Sequence, residues 1–99
     1  MKIVENTDKG KMVLQISGRL DSSTAPQLQE YVDRKLEGVS ELLMDLNNLE
    51  YISSAGLRVF LSAGKKMKAA EGEMVITGAN EEIREAFKIT GFDTILKIQ

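Results

Sequence analysis

The sequence has no cysteine and no histidine. Without cysteine there is no disulfide framework and no thiolate site for zinc or an iron–sulfur cluster. Without histidine there is no Ser-His-Asp triad, no imidazole metal ligand and no imidazole acid or base. Neither sign of charge dominates: 13 lysines and arginines against 15 aspartates and glutamates leave −2 over 99 residues. Basic residues gather only at Lys65-Lys66-Met67-Lys68, so a nucleic-acid footprint has little support. The longest uninterrupted apolar run is three residues, far short of the ~20 that span a bilayer. The opening Met1-Lys2-Ile3-Val4-Glu5-Asn6 lacks the apolar stretch of a signal peptide. These absences predict a cytoplasmic protein, or the soluble part of something larger, that is not an enzyme, with no metal, no cofactor, and neither nucleic acid nor membrane as partner.

What is present is ordinary for a globular chain: 42% hydrophobic and 28% charged residues. A chain of this length buries somewhat over ~60% of its unfolded surface, enough for one core and one domain over residues 1–99. Residues 2–6 and 11–17 are apolar-rich and partly alternating, with the turn signal Asp8-Lys9-Gly10 between them. They predict a β-hairpin with Met12, Leu14 and Ile16 on one face and Val13 and Gln15 on the other, ended by Gly18. A helix opens near Thr24, which is spaced from Gln27 as in a capping box, with Pro26 in the first turn; Ser23 fits equally well as the cap. Leu28, Tyr31, Val32 and Leu36 recur at helical spacing, and Gly38 stands just past the end.

Leu42-Leu43-Met44-Asp45-Leu46 is apolar on nearly all sides and predicts a central strand covered on both faces. Residues 47–52 read as a loop. A second helix starts at Ser54, with Leu57, Phe60, Leu61, Gly64 and Met67 or Lys68 along one stripe. Lys65, Lys66 and Glu71 face water, and Gly72 closes the helix. Residues 73–77 form a short strand. Asn80 caps a third helix with Glu81 and Glu82 at its positive end, Ile83, Ala86 and Phe87 as its buried stripe, and Gly91 as its stop. Residues 94–98 make the last strand. The order ββαβαβαβ describes one α/β domain: a mixed, mostly parallel β-sheet packed with amphipathic helices through right-handed crossovers.

In open α/β sheets functional sites lie at the carboxyl ends of the strands. Two loops fall there, residues 18–24 and residues 51–57. Ser54 is placed as a helix cap, with the N–H groups of Ala55, Gly56 and Leu57 pointing outward, an arrangement that favours an anion. Gly56 would leave room for another chain or a phosphate. A serine opening a helix is most often a cap and nothing more. As a nucleophile Ser54 lacks a base, since Lys65 and Lys66 stand about three turns further along the helix at ~1.5 Å per residue. Asp21 and Asp45 are the one pair open to acid–base work or Mg²⁺ binding. Their local readings are simpler: Asp45 braces a loop at its strand end, and Asp21 accepts backbone N–H bonds in the turn before the first helix. Lysines 65–68 read as a solvated helix face.

Asp45-Leu46, four residues on, leads to Tyr51-Ile52-Ser53-Ser54-Ala55-Gly56-Leu57. This stretch resembles the core signature of the STAS family, specifically its bacterial anti-sigma factor antagonists. Gly18-Arg19-Leu20-Asp21, followed by Ala25 and Leu28, resembles that family's other loop. Element order and length match too, so the resemblance covers essentially the whole chain. It implies a small α/β sandwich. It also implies an antagonist that, unphosphorylated, binds an anti-sigma factor which is also a serine kinase of ATPase-type fold, and so frees a sigma factor. Phosphorylation of one serine from ATP breaks that complex, and a PP2C-type phosphatase restores it. The family's acceptor maps to Ser54, with Ser53 as the alternative because it stands where aspartate is common. The implied partner surface is Asp21, Ser22, Ser23, Ser53, Ser54, Ala55, Gly56, Leu57 and Arg58. The same fold also admits a structural or regulatory subunit of a transport or stress-signalling complex with no phospho-switch.

Overall fold

A computed structural model describes residues 1–99. Strands β1 (Lys2–Asp8) and β2 (Lys11–Leu20) pair antiparallel, with Asp8 opposite Lys11. The two residues between them, Lys9 and Gly10, both have positive φ, 47° and 82°. That turn carries the right-handed twist of the flanking strands, which is why a glycine belongs there. The chain continues through α1 (Ala25–Lys35), β3 (Glu41–Asp45), β4 (Leu49–Ile52), α2 (Ser54–Ala69), β5 (Glu73–Thr77), α3 (Glu81–Ile89) and β6 (Lys97–Ile98). The sheet runs β1-β2-β3-β5-β6, and β4 joins β2 off this path. Every pairing after the hairpin is parallel. The predicted class holds: one α/β domain with a mixed, mostly parallel sheet of six strands and three helices.

Met12, Leu14 and Ile16 of β2, Leu42 and Met44 of β3 and Ile76 of β5 are buried beneath the helices. Val13, Leu43 and Val75, in register across the same three strands, stay half-exposed on the other face. The expectation that β3 is covered on both faces is therefore corrected. Its apolar outward residue is sheltered by cross-strand neighbours rather than by a second layer. The core holds 24 apolar residues and no buried polar or charged side chain. Helix α2 contributes more to it than its stripe suggested, adding Val59 and Ala63, because α2 packs on α1 as well as on the sheet. Gln29 donates to Ser62 Oγ at 3.2 Å, and Lys66 pairs with Asp33 at 3.3 Å across that contact. Lys66 is thus tied to α1 and is not simply solvated. Phe60 and Phe87 join α2 to α3 edge to face, with centroids 5.6 Å apart.

Residues 49–52 form a strand, not a loop. β2 is ten residues long, and its last three residues, Gly18 (φ 88°) to Leu20, are free to pair with Leu49, Tyr51 and Ile52, with Glu50 left over where the register shifts. The last strand shrinks to Lys97–Ile98, because residues 92–94 take a 3₁₀ turn in which Thr94 Oγ1 donates to Gly91 O at 2.7 Å. At α1 the capping box does not form. Thr24 precedes the helix, but its hydroxyl donates to Arg19 O and accepts from Asp21 N, leaving the helix N–H groups alone. At the end of α2 the left-handed residue is Glu71 (φ 59°), with Glu71 N donating to Lys68 O and Gly72 N to Met67 O. Gly72 serves a close approach instead: a Cβ there would lie 2.9 Å from Ser40 O. Asn80 caps α3 as expected, its Oδ1 accepting from Ile83 N at 2.9 Å. No helix is long and apolar enough to cross a membrane.

Candidate functional site

The parallel pairing of β2 with β4 sets Leu20 beside Ile52. Both loops singled out in the sequence therefore leave the sheet side by side. Ser53 N donates to Leu20 O at 2.8 Å, extending the ladder by one bond and holding Ser53 in an extended conformation (φ −96°, ψ 173°). From there its Oγ accepts from Gly56 N at 3.3 Å. Ser53 is thus the cap of α2, correcting the placement of Ser54 in that role. Ser54 is the first helical residue. Its side chain is exposed, and the hydrogen bonds of the cap pass it by. The cap satisfies Gly56 N, and Leu57 N bonds Ser53 O, so the free donors of the first turn are the N–H groups of Ser54 and Ala55.

In the neighbouring loop, Asp21 Oδ1 accepts from Ser23 Oγ at 2.7 Å, Ser23 N at 3.0 Å and Thr24 N at 3.2 Å. The Ser23 hydroxyl first, then the backbone N–H groups, hold the carboxyl below the usual aspartate range. Asp21 shapes its turn as the sequence suggested. Asp45 braces its own loop, its Oδ1 accepting from Asn47 N at 2.9 Å and Asn47 Nδ2 at 2.6 Å. The two aspartates do not converge: Asp45 sits opposite Gln15 of β2, and Asp21 lies six residues further on, ~20 Å at ~3.3 Å per residue. No three carboxylates gather as a metal site.

The implied partner surface divides. Asp21, Ser22, Ser23, Ser53, Ser54, Ala55 and Arg58 are exposed or half-exposed. Gly56 and Leu57 are buried and have no side-chain surface to offer a partner. The close approach at Gly56 is internal, since a Cβ there would stand 2.7 Å from Leu20 Cγ and 3.0 Å from Ile52 Cγ1. Arg58 is exposed one turn after Ser54, on the same side of α2. Arg19 lies over the ring of Tyr51 at 4.3 Å, a cation–π pair formed by residues opposite each other in the β2–β4 ladder. Reading residues 47–52 as a loop concealed it. Chemically, the site offers an accessible hydroxyl, spare N–H donors and the positive end of a 16-residue helix.

The sequence model of the STAS domain matches residues 2–99. The chain belongs to the STAS domain family. This STAS domain is 33% identical over 99 residues to BtrV of Bordetella bronchiseptica, covering 99% of this chain and 85% of that protein. It is 30% identical over 98 residues to the anti-sigma-B factor antagonist of Listeria monocytogenes, covering 97% and 85%. Among solved structures, TM1081 of Thermotoga maritima superposes with a TM-score of 0.89 at 20% identity, covering 97% of this chain and 84% of that one. Bacillus SpoIIAA in its phosphorylated form superposes at 0.79 with 15% identity, covering 99% and 91%. The resemblance drawn from the two loops is thus met over the full length of the STAS fold.

Proposed function

We propose that this STAS domain is a cytoplasmic anti-sigma factor antagonist. Unphosphorylated, it binds an anti-sigma factor that is also a serine kinase, and so releases a sigma factor. Phosphorylation of Ser54 switches it off, and a PP2C-type phosphatase restores it. The relatives support the antagonist role, since the Listeria protein is named for it. The observation that carries the switch is the division of labour at the start of α2: Ser53 is held by its capping bond, while Ser54 is exposed. SpoIIAA, of the same fold, has been solved unphosphorylated and phosphorylated, and each form superposes with a TM-score of 0.79.

A phosphoserine adds about −1.5 to −2 charge. On Ser54 that charge meets the helix start, two spare N–H donors and Arg58 one turn away. The domain therefore tolerates the phosphate, and its cost falls on the interface, where a dianion occupies a surface that must dock closely. A penalty of about 1.4 kcal/mol already lowers affinity tenfold. The chain supplies only the acceptor and the docking surface; base, metal and nucleotide belong to the kinase.

The test is phosphorylation by the cognate kinase with ATP, read by mass spectrometry of the peptide spanning residues 53–58. One phosphate on Ser54 is expected, lost in Ser54→Ala and kept in Ser53→Ala. Unchanged modification of Ser54→Ala overturns the assignment. Ser54→Asp should weaken the kinase complex at least about tenfold with an unchanged circular dichroism spectrum; equal affinity overturns the charge switch.

A further inference from the structure

The lysines near the end of α2 part company. Lys66 turns to Asp33 of α1. Lys65 and Lys68 instead line a groove of about 420 Å³ on the other flank of the helix, with Lys97 of β6 completing a cationic rim. None of these three is in an ion pair. Glu73 is the one acid lining the groove, so its balance is 3 − 1 = +2 in a chain whose net charge is −2. The groove is apolar within: Met74 and Leu96 line it, and Ile95 stands 63% exposed at its edge. An unbranched thioether at such a position adapts to more than one apolar guest. Ile95 thus sets one exposed apolar side chain beside three unpaired cations.

We propose that this groove docks an acidic peptide segment of a partner protein. Its carboxylates meet Lys65, Lys68 and Lys97, and an apolar side chain rests on Met74, Ile95 and Leu96. The concave shape favours an inserted segment over a flat surface, and the local charge opposes that of the whole chain, so it selects acidic partners. The groove lies at the far end of α2 from Ser54, ~21 Å over 14 residues. Its occupancy therefore leaves the phosphorylation site free and does not depend on the switch.

The experiment is titration of the ¹⁵N-labelled protein with a capped octapeptide of five glutamates and three leucines, against the same peptide with glutamines. Saturable shift changes are expected at Lys65, Lys68, Ile95 and Lys97, with a Kd below about 1 mM. They should weaken at least about tenfold in about 0.5 M NaCl and at least about tenfold in the double variant Lys65→Glu with Lys68→Glu. Lys65→Gln with Lys68→Gln should give an intermediate loss, and serves should the charge reversal disturb folding. Absence of saturation, shifts centred elsewhere, equal binding of the glutamine peptide, or indifference to both double variants overturns the proposal. So does lysine-dependent binding to phosphatidylglycerol vesicles without binding of the peptide, which would make the groove a membrane contact.

Discussion

At the start of α2 the single hydrogen bond from Gly56 N to Ser53 Oγ separates two neighbouring serines. Ser53→Ala should cost about 1 kcal/mol, the usual value of a lost cap, while Ser54→Ala stays within about 0.5 kcal/mol of the parent; urea midpoints check both. Gly56→Ala sets two effects against each other. The helix gains up to about 1 kcal/mol of propensity, but the new methyl would sit 2.7 Å from Leu20 Cγ, and overpacking of that kind costs about 1–3 kcal/mol. The clash should win, lowering the urea midpoint. For Asp21 the folded carboxyl titrates below its unfolded value. Its contribution is present above about pH 4 and is lost as pH falls through the lowered pKa. Carboxyl NMR titration should show that depression, and Ser23→Ala should lift part of it. Nothing local in the sequence could rank the two serines, since both are small polar residues before an apolar run. What decides is the bond from Ser53 N to Leu20 O, a contact between segments more than thirty residues apart.

At the scale of elements, the hairpin and the three helices were legible because their apolar residues keep periods of two or near 3.6. β4 was not. Its buried residues, Leu49 and Ile52, are three apart, a spacing that breaks strand alternation, and its existence depends on a partner strand long enough to bend past Gly18. β3 misled in the opposite sense, since an apolar outward residue can be shielded within a single layer. Helix α1 is tied to edge strand β1 by the Tyr31 hydroxyl, which donates to the Glu5 carboxylate. Burial first, and Glu5 second, push the Tyr31 phenol up to about 12. The hydrogen bonds from Thr7 and then Tyr31 hold the Glu5 carboxyl below its usual range. A raised phenol pKa means stability that is intact below about pH 10 and lost as pH rises toward the folded value. Tyr31→Phe should cost about 1 kcal/mol, raise the Glu5 pKa and remove this part of the alkaline loss, as read by denaturation at a series of pH values. A charged side chain on an edge strand also discourages pairing with another sheet.

Across the whole molecule, the Ser54 surface and the lysine-lined groove occupy opposite ends of α2, and the half-exposed row of Val13, Leu43 and Val75 lies on the face without helices. Strand β2 is hydrogen-bonded to three others, β1, β3 and β4. That triple pairing has a kinetic consequence. The hairpin with β1 closes over two residues, whereas the pairings with β3 and β4 each close a loop of roughly thirty, which is the slower event. A strand that enters three of the five strand pairings is the natural nucleus of folding. Truncations such as Ile16→Val should therefore retard refolding, with φ-values of roughly 0.5–0.8. Leu96→Ala, in the segment leading to the two-residue β6, should mainly hasten unfolding, at roughly 0–0.3. Stopped-flow chevrons distinguish the two, and the expected order has the loops around Asp21 and Ser54 brought together before the carboxyl-terminal edge is in place.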